Sequence, residues 1–261
     1  MAVSSQTLGL DTTQKQLRGR TVLIASLPNL SPAADIPLPP ESSSALGENL
    51  AVRPPHQLLK PGGTGFLGAP WFATRVWEFD YPGQTLSLIP EMEWADRPDE
   101  HTVYLGFQTD ADGNRTTHFP RITIAVDGDS IDVLFDTGAT LLAKESTAEH
   151  LGKPETANIG TCFIIDSIFT AWQEAHPDWE VIKNAEWQTG MPVIKVPKVG
   201  IAGYEVGPVW FTKRPDNSFT DRMSRWMDKP ISGAAGGSLF QYFRIIVDYP
   251  EQVAEFHLEG T

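Results

Sequence analysis

The chain has 261 residues, 41% hydrophobic and 20% charged, which is enough to bury one large core or two small ones and too apolar for a disordered protein. Its 33 acidic and 20 basic side chains leave a net charge of −13, a surface that repels the phosphates of nucleic acids and anionic lipids, so neither is an expected partner. The single cysteine, Cys162, excludes an intramolecular disulfide and a cysteine-rich zinc site.

Met1 to Arg18 is polar and lacks the apolar stretch of a signal peptide. No later segment approaches the roughly 18–20 apolar residues of a membrane span, so the sequence reads as soluble, with no compartment assigned. Thr21 to Leu27 reads as a strand, and the Pro- and Ser-rich stretch from Pro32 to Pro61 as a long irregular connection. Gly63-Thr64-Gly65-Phe66-Leu67-Gly68 has the glycine spacing of a dinucleotide fingerprint. That motif requires a preceding apolar strand, whereas Pro54 to Gly62 supplies prolines and a lysine; no cofactor is expected. Thr85 to Ile89 reads as a strand, and the polar, acidic stretch Glu91 to Gly113 as an exposed linker. Arg121 to Val126 and Ile131 to Phe135 are apolar runs on either side of Asp127-Gly128, a strong hairpin signal. Thr147 to Leu151, Ile168 to His176 and Phe219 to Met227 carry helical patterns, and Phe243 to Tyr249 is a final strand. Short β-branched runs punctuated by 22 glycines and 21 prolines predict a mainly β fold.

An internal repeat organises these elements. Gly65-Phe66-Leu67-Gly68-Ala69-Pro70-Trp71-Phe72 lies beside Gly233-Ala234-Ala235-Gly236-Gly237-Ser238-Leu239-Phe240 at an offset of 168 residues. At the same offset, without a gap, Asp80-Tyr81-Pro82 falls on Asp248-Tyr249-Pro250 and Gln84 on Gln252. The chain therefore reads as two related lobes, each ending in one supersecondary unit: residues 1–90, a linker 91–117, and residues 118–261.

In the second lobe the hairpin strand ending at Phe135 runs directly into Asp136-Thr137-Gly138-Ala139. An acid at the end of a buried strand is costly unless it is hydrogen-bonded or functional. Thr137 offers a hydroxyl to lock the loop, and Gly138 lets the backbone approach the carboxylate. An apolar strand entering Asp-Thr-Gly, followed downstream by two apolar residues and a glycine (Ala234-Ala235-Gly236), resembles the aspartic peptidases of the pepsin-like and retropepsin-like families. The arrangement with Asp-Tyr-Pro is similar to the bacterial retropepsin-like type. The likeness covers Gly65 to Leu88 and His118 to Leu258.

The resemblance implies a two-lobed acid-protease fold with a central cleft and a first lobe that is incomplete. It also implies peptide or protein substrates, no cofactor and no metal, with Asp136 catalytic and Thr137 and Gly138 supporting its loop. In that family two aspartates share one proton across a bound water; one acts as general base while the other protonates the scissile carbonyl. Here the first lobe has no Asp-Thr-Gly. Asp11-Thr12-Thr13 is one degenerate partner. Alternatively, matching Leu8-Gly9 with Leu151-Gly152 puts the partner before Met1, so that the chain begins after its first catalytic loop; the third alternative is a protein with one aspartate. The expected function is aspartic-type endopeptidase, and the alternative is an inactive peptide-binding or structural relative.

Other motifs have plainer readings. Cys162 lies in the apolar run Cys162 to Ile165 and reads as a small core residue instead of a nucleophile. His118 and His150 flank the aspartate loop in sequence and read as capping or surface residues. Trp172, Trp179 and Trp187 read as core or lid packing, with residues 168–209 expected to hold a helix and a hairpin that cover the site. Asn29 and Asn114 begin glycosylation triplets of a pattern common by chance.

Overall fold

The computed structural model describes residues 2–4, 12–17, 20–26, 49–53, 65–89, 99–153 and 158–258. They divide into two compact units, Met1–Arg75 and Val76–Thr261, and the fold is mainly β with several sheets.

The first unit holds β1 (Ala2–Ser4), β2 (Thr13–Leu17), β3 (Arg20–Ser26), β4 (Asn49–Arg53) and β5 (Gly65–Phe66), then a short helix, α1 (Ala69–Phe72). The sheet order is β2-β3-β4-β1-β5. Only the β4–β1 pair is parallel. Gly68 caps α1 in an extended conformation, and Pro70 in the first turn suits a helix start.

The second unit begins with β6 (Val76–Asp80), β7 (Thr85–Ile89), β8 (Thr102–Tyr104), β9 (Arg121–Val126), β10 (Asp129–Phe135) and β11 (Thr140–Leu142). There follow α2 (Glu145–His150), β12 (Asn158–Gly160), β13 (Cys162–Ile165), α3 (Asp166–Ala175), β14 (Val181–Ile182), β15 (Val193–Val196), β16 (Val199–Ile201), β17 (Tyr204–Val206) and β18 (Val209–Arg214). The chain ends with β19 (Gly233–Ala235), α4 (Gly237–Phe240), β20 (Phe243–Asp248) and β21 (Val253–Leu258). Nine strands form one sheet, β14-β15-β18-β13-β19-β10-β9-β16-β17, and five form another, β7-β6-β20-β21-β8; β11 and β12 make a small pair.

Local sequence explains the central hairpin. Asp127 and Gly128 take left-handed angles (φ 53° and 86°), the geometry of a tight hairpin turn. Along β9, buried Ile122, Ile124 and Val126 alternate with less buried neighbours, as a sheet with one covered face requires. The alternation stops at Val133-Leu134-Phe135, all buried, where the end of β10 is covered on both faces. Leu134 joins Ile165, Phe219, Met227, Ile231 and Ala234 in one apolar cluster.

The repeat is realised element by element. At the offset of 168, α1 falls on α4, and β6 and β7 fall on β20 and β21. Trp71 N–H donates to Gly68 O at 2.9 Å, as Leu239 N–H does to Gly236 O at 2.9 Å. Gly83 N–H donates to Asp80 Oδ1 at 2.7 Å, and Glu251 N–H to Asp248 Oδ1 at 2.8 Å. Gln84 and Gln252 both take positive φ, 55° and 61°. The Asp-Tyr-Pro turns are thus the same device twice.

The likeness extends to the sheets. The order β2-β3-β4-β1-β5 reproduces β14-β15-β18-β13-β19, with the same parallel and antiparallel neighbours. Its register makes Ala2 the counterpart of Phe163, and Val3 of Ile164. This revises the first-lobe alignment. Leu8, outside the described residues, follows β1, whereas Leu151 precedes β13; the two are not equivalent. Asp11, also outside the described residues, likewise follows β1, whereas Asp136 precedes β13.

Two further expectations are corrected. Part of the expected linker is structured: Leu105 and Phe107 are buried and β8 pairs with β21, because their apolar side chains find a place at the sheet edge. Phe219 to Met227 is no α-helix but a π turn at Phe219–Met223 followed by a 3-10 turn at Ser224–Trp226. Phe219, Met223 and Met227 do share one apolar cluster, as their spacing requires. The Ser224 hydroxyl, however, accepts the Ile231 N–H at 2.9 Å and turns the chain before a regular helix is established. Residues 168–209 supply α3 and strands at both ends of the nine-stranded sheet.

Candidate active site

Asp136 follows the last residue of β10, and its position is fixed by the parallel pairing of that strand with β19. Leu134 and Phe135 lie opposite Ala234 and Ala235, both fully buried, and the Asp136 N–H donates to Ala235 O at 2.8 Å. Phe135 N–H donates to Pro120 O at 2.8 Å from the other side. The acidic residue is therefore tied to two neighbouring segments of the sheet.

The loop closes on its own backbone. Gly138 N–H donates to Asp136 Oδ1 at 2.9 Å, Ala139 N–H to Asp136 O at 3.2 Å, and the Thr140 hydroxyl to Gly138 O at 2.9 Å. The lock expected from Thr137 is made by Thr140. Thr137 is exposed, and no described residue binds its hydroxyl. Gly138 is exposed too, and a methyl group there would lie 3.2 Å from Asp136 Oδ1. Gly236 is more tightly constrained: a Cβ would meet Thr161 O at 2.4 Å, the Ala139 Cβ at 2.5 Å and Asp136 O at 3.0 Å. Only glycine lets β19 pass so close beneath the loop.

Asp136 is half-buried, and burial raises its carboxyl above the ordinary aspartate value, against the single pull of the Gly138 N–H. Among the described residues no second carboxyl group shares a hydrogen bond with it. Two tyrosines lie within its electrostatic reach: Tyr81 and Tyr249, the repeat counterparts in the two Asp-Tyr-Pro turns. Burial pushes both phenols upward and the negative charge of Asp136 adds to the shift; for Tyr249 the Arg115 cation opposes it. The sequence marks these tyrosines as repeat positions, and nothing in their spacing from Asp136 reveals that the fold brings them near it. Tyr81 packs on Phe240 at 5.6 Å, and Phe240 on Phe135 at 4.6 Å, forming an aromatic layer beneath the loop.

Cys162 is fully buried, with its sulfur 3.4 Å from the Gly236 N–H, and burial pushes its thiol up to about 12; it is a core residue. His150 pairs with Glu180. Among the described residues the buried Nδ1 of His118 has no partner, and burial with the nearby Arg115 cation lowers its pKa. Trp172 is buried, Trp179 stacks on His176 at 4.0 Å, and Trp187 is exposed. Asn114 closes a turn on Asp110. Among the described residues no cluster of three metal-ligating side chains occurs, and no helix is long and apolar enough to cross a membrane.

No protein-family model matches this sequence, and no curated protein does. A solved retropepsin-like aspartic protease from Rickettsia conorii is similar over 59% of this chain and 88% of its own, with 13% identity and a TM-score of 0.33. That overlap decides nothing about chemistry.

Proposed function

We propose that the chain works as an aspartic peptidase in which Asp136 activates water for attack on a peptide bond. The observation that carries this reading is the fixed carboxyl itself. Asp136 stands at the end of a buried strand and is held by its own loop, and burial keeps it protonated to a higher pH than an ordinary aspartate. A carboxyl with that property suits protonation of the scissile carbonyl oxygen, or one place in a proton-sharing pair. Thr140, Gly138 and the β19 backbone hold its direction; Thr137 lies exposed beside it.

One carboxyl group cannot serve at once as acid and base, and among the described residues no second one joins Asp136, so slow turnover of peptides is expected. The same observation favours a second reading, a relative that binds peptides without cleaving them. The test is hydrolysis of a mixed peptide pool at acid and neutral pH by wild type and Asp136→Asn, alongside binding of a statine-containing inhibitor. Cleavage or inhibitor binding that disappears in Asp136→Asn supports the peptidase reading. Cleavage that survives the substitution sinks it, and peptide binding without any cleavage leaves the binding module.

A further inference from the structure

The nine-stranded sheet brings its two ends together. Its order runs from β14 and β15 at one end to β16 and β17 at the other, yet β15 and β16 are joined by Pro197 and Lys198 alone, a link of about 10 Å at full extension. The ends therefore meet, although β18, β13, β19, β10 and β9 lie between them in the sheet. A groove follows this seam as two adjoining hollows, of about 480 Å³ and 370 Å³, with Trp179 and Pro197 bordering both. Ala125 and Gly200, paired across β9 and β16, line the larger one, where their small size leaves it deep.

Trp179 is held firmly in this groove. His176 stacks on it at 4.0 Å and is bonded in turn to Asp127 of the hairpin turn, Nε2 to Oδ2 at 2.7 Å; Trp172 meets it edge-on at 6.2 Å. The backbone is tied on both sides, Trp179 N–H to His176 O at 3.0 Å and Lys195 N–H to Glu180 O at 2.9 Å. A half-buried tryptophan fixed in this way loses little conformational freedom when a partner covers it, which suits it as a binding anchor.

Charge names the occupant. Asp127 and Glu205 border the larger hollow with Lys198, and Asp178 and Glu180 the smaller with Lys195. Lys198 is bonded to Glu205 at 2.5 Å and Lys195 to Glu180 at 3.1 Å, so Asp127 and Asp178 remain in surplus on a chain whose net charge is −13. We infer that this groove is a docking site for an extended, cationic segment of a protein partner. A lysine or arginine stem lies against Trp179 and Pro197, and its charge is turned toward Asp127 and Asp178. The groove stands at the far end of β10 from Asp136: the seven residues of that strand, about 23 Å at the usual rise, part it from the aspartate. Docking there does not depend on the peptidase reading.

The experiment uses the 261-residue chain and a capped peptide of alternating arginine and proline, which proline keeps extended, with a glutamate–proline peptide as control. Each is titrated in low salt at about pH 8, where histidine is neutral, while the indole N–H signal of Trp179 is followed by NMR. The arginine–proline peptide is expected to shift that signal with a Kd below about 1 mM, and to bind about tenfold or more weakly to Trp179→Ala. Glu205→Lys, at an exposed side chain, is expected to keep the wild-type thermal unfolding and to weaken binding about fivefold or more. Asp136→Asn is expected to bind as the wild type does. No shift up to about 1 mM peptide, equal binding of the glutamate peptide, or full affinity in either Trp179→Ala or Glu205→Lys overturns the docking site. Loss of binding in Asp136→Asn also overturns it, since the peptide then sits at the aspartate. Because the groove and the aspartate are tested by separate substitutions, failure of peptide hydrolysis removes the peptidase reading and leaves the groove standing.

Discussion

Glu78 and Ile246 face each other across the antiparallel β6–β20 ladder, and the same two residues are equivalent positions of the 168-residue repeat. A pair that is at once cross-strand partner and repeat counterpart marks a local two-fold axis. The β6–β7 and β20–β21 hairpins are thus two copies of one motif joined at their own symmetry axis, and the side chains next to it hold both. Trp77, one residue from the axis and 3% exposed, lies opposite Val247. Trp77→Ala is expected to cost about 3–5 kcal/mol in urea unfolding; a loss below about 1 kcal/mol would show that this sheet does not depend on the central contact.

Gly236→Ala tests the approach of β19 to the acidic loop. The added methyl would lie 2.4 Å from the Thr161 carbonyl oxygen and 2.5 Å from the Ala139 Cβ, both fixed by the fold. Overpacking of this kind costs about 1–3 kcal/mol. Relief by movement of the Asp136 loop would lower any hydrolytic activity more than global stability. Wild-type stability in the variant would contradict the packing described for this loop.

Asp136→Asn gives a pH-dependent outcome of defined sign. Because burial raises the folded-state pKa of Asp136, the folded protein holds this proton more tightly than the unfolded chain does. Its contribution to stability is fully present below the ordinary carboxyl value and is lost as pH rises through the folded value. The asparagine variant should therefore gain on wild type in chemical denaturation at pH 7, with the gain shrinking toward about pH 3. A gain that grows on acidification would reverse the assignment.

Arg121 binds two acids. It donates to Asp228 through Nε at 2.9 Å and Nη2 at 2.8 Å, and to Asp132 through Nη1 at 2.8 Å, with its side chain only 13% exposed. Lysine keeps the charge but not the fork. Arg121→Lys should lose about 1.5–3 kcal/mol, the scale of hydrogen bonds to charged groups. If thermal unfolding is unchanged, this clamp contributes nothing.

Cys162 should behave as a core residue. Full burial and a thiol held near 12 leave almost no accessible thiolate at pH 8. Reaction with a colorimetric disulfide reagent should be at least about a hundredfold slower in the folded chain than in denaturant, since it waits on opening of the core. Rapid labelling of the native protein would contradict the packing described here.

Local chemistry made much of this protein legible from its sequence. Asp127-Gly128 sets its hairpin because it takes left-handed angles cheaply, the alternation in Arg121 to Val126 fixes which face is buried, and the ungapped repeat reports a duplicated hairpin. Asp136 stands out because an acid that ends an apolar strand needs a reason. What only the tertiary structure decided depends on residues distant in sequence. The glycine at 236 is required by the Ala139 methyl and the Thr161 carbonyl, and the loop is locked by Thr140 instead of Thr137. Tyr81 and Tyr249 come within reach of Asp136 only once the sheets form. The first-lobe register is the clearest case. Leu8-Gly9 and Leu151-Gly152 match as letters, but hydrogen-bonded pairing, which is set by backbone neighbours and not by residue identity, makes Ala2 the counterpart of Phe163.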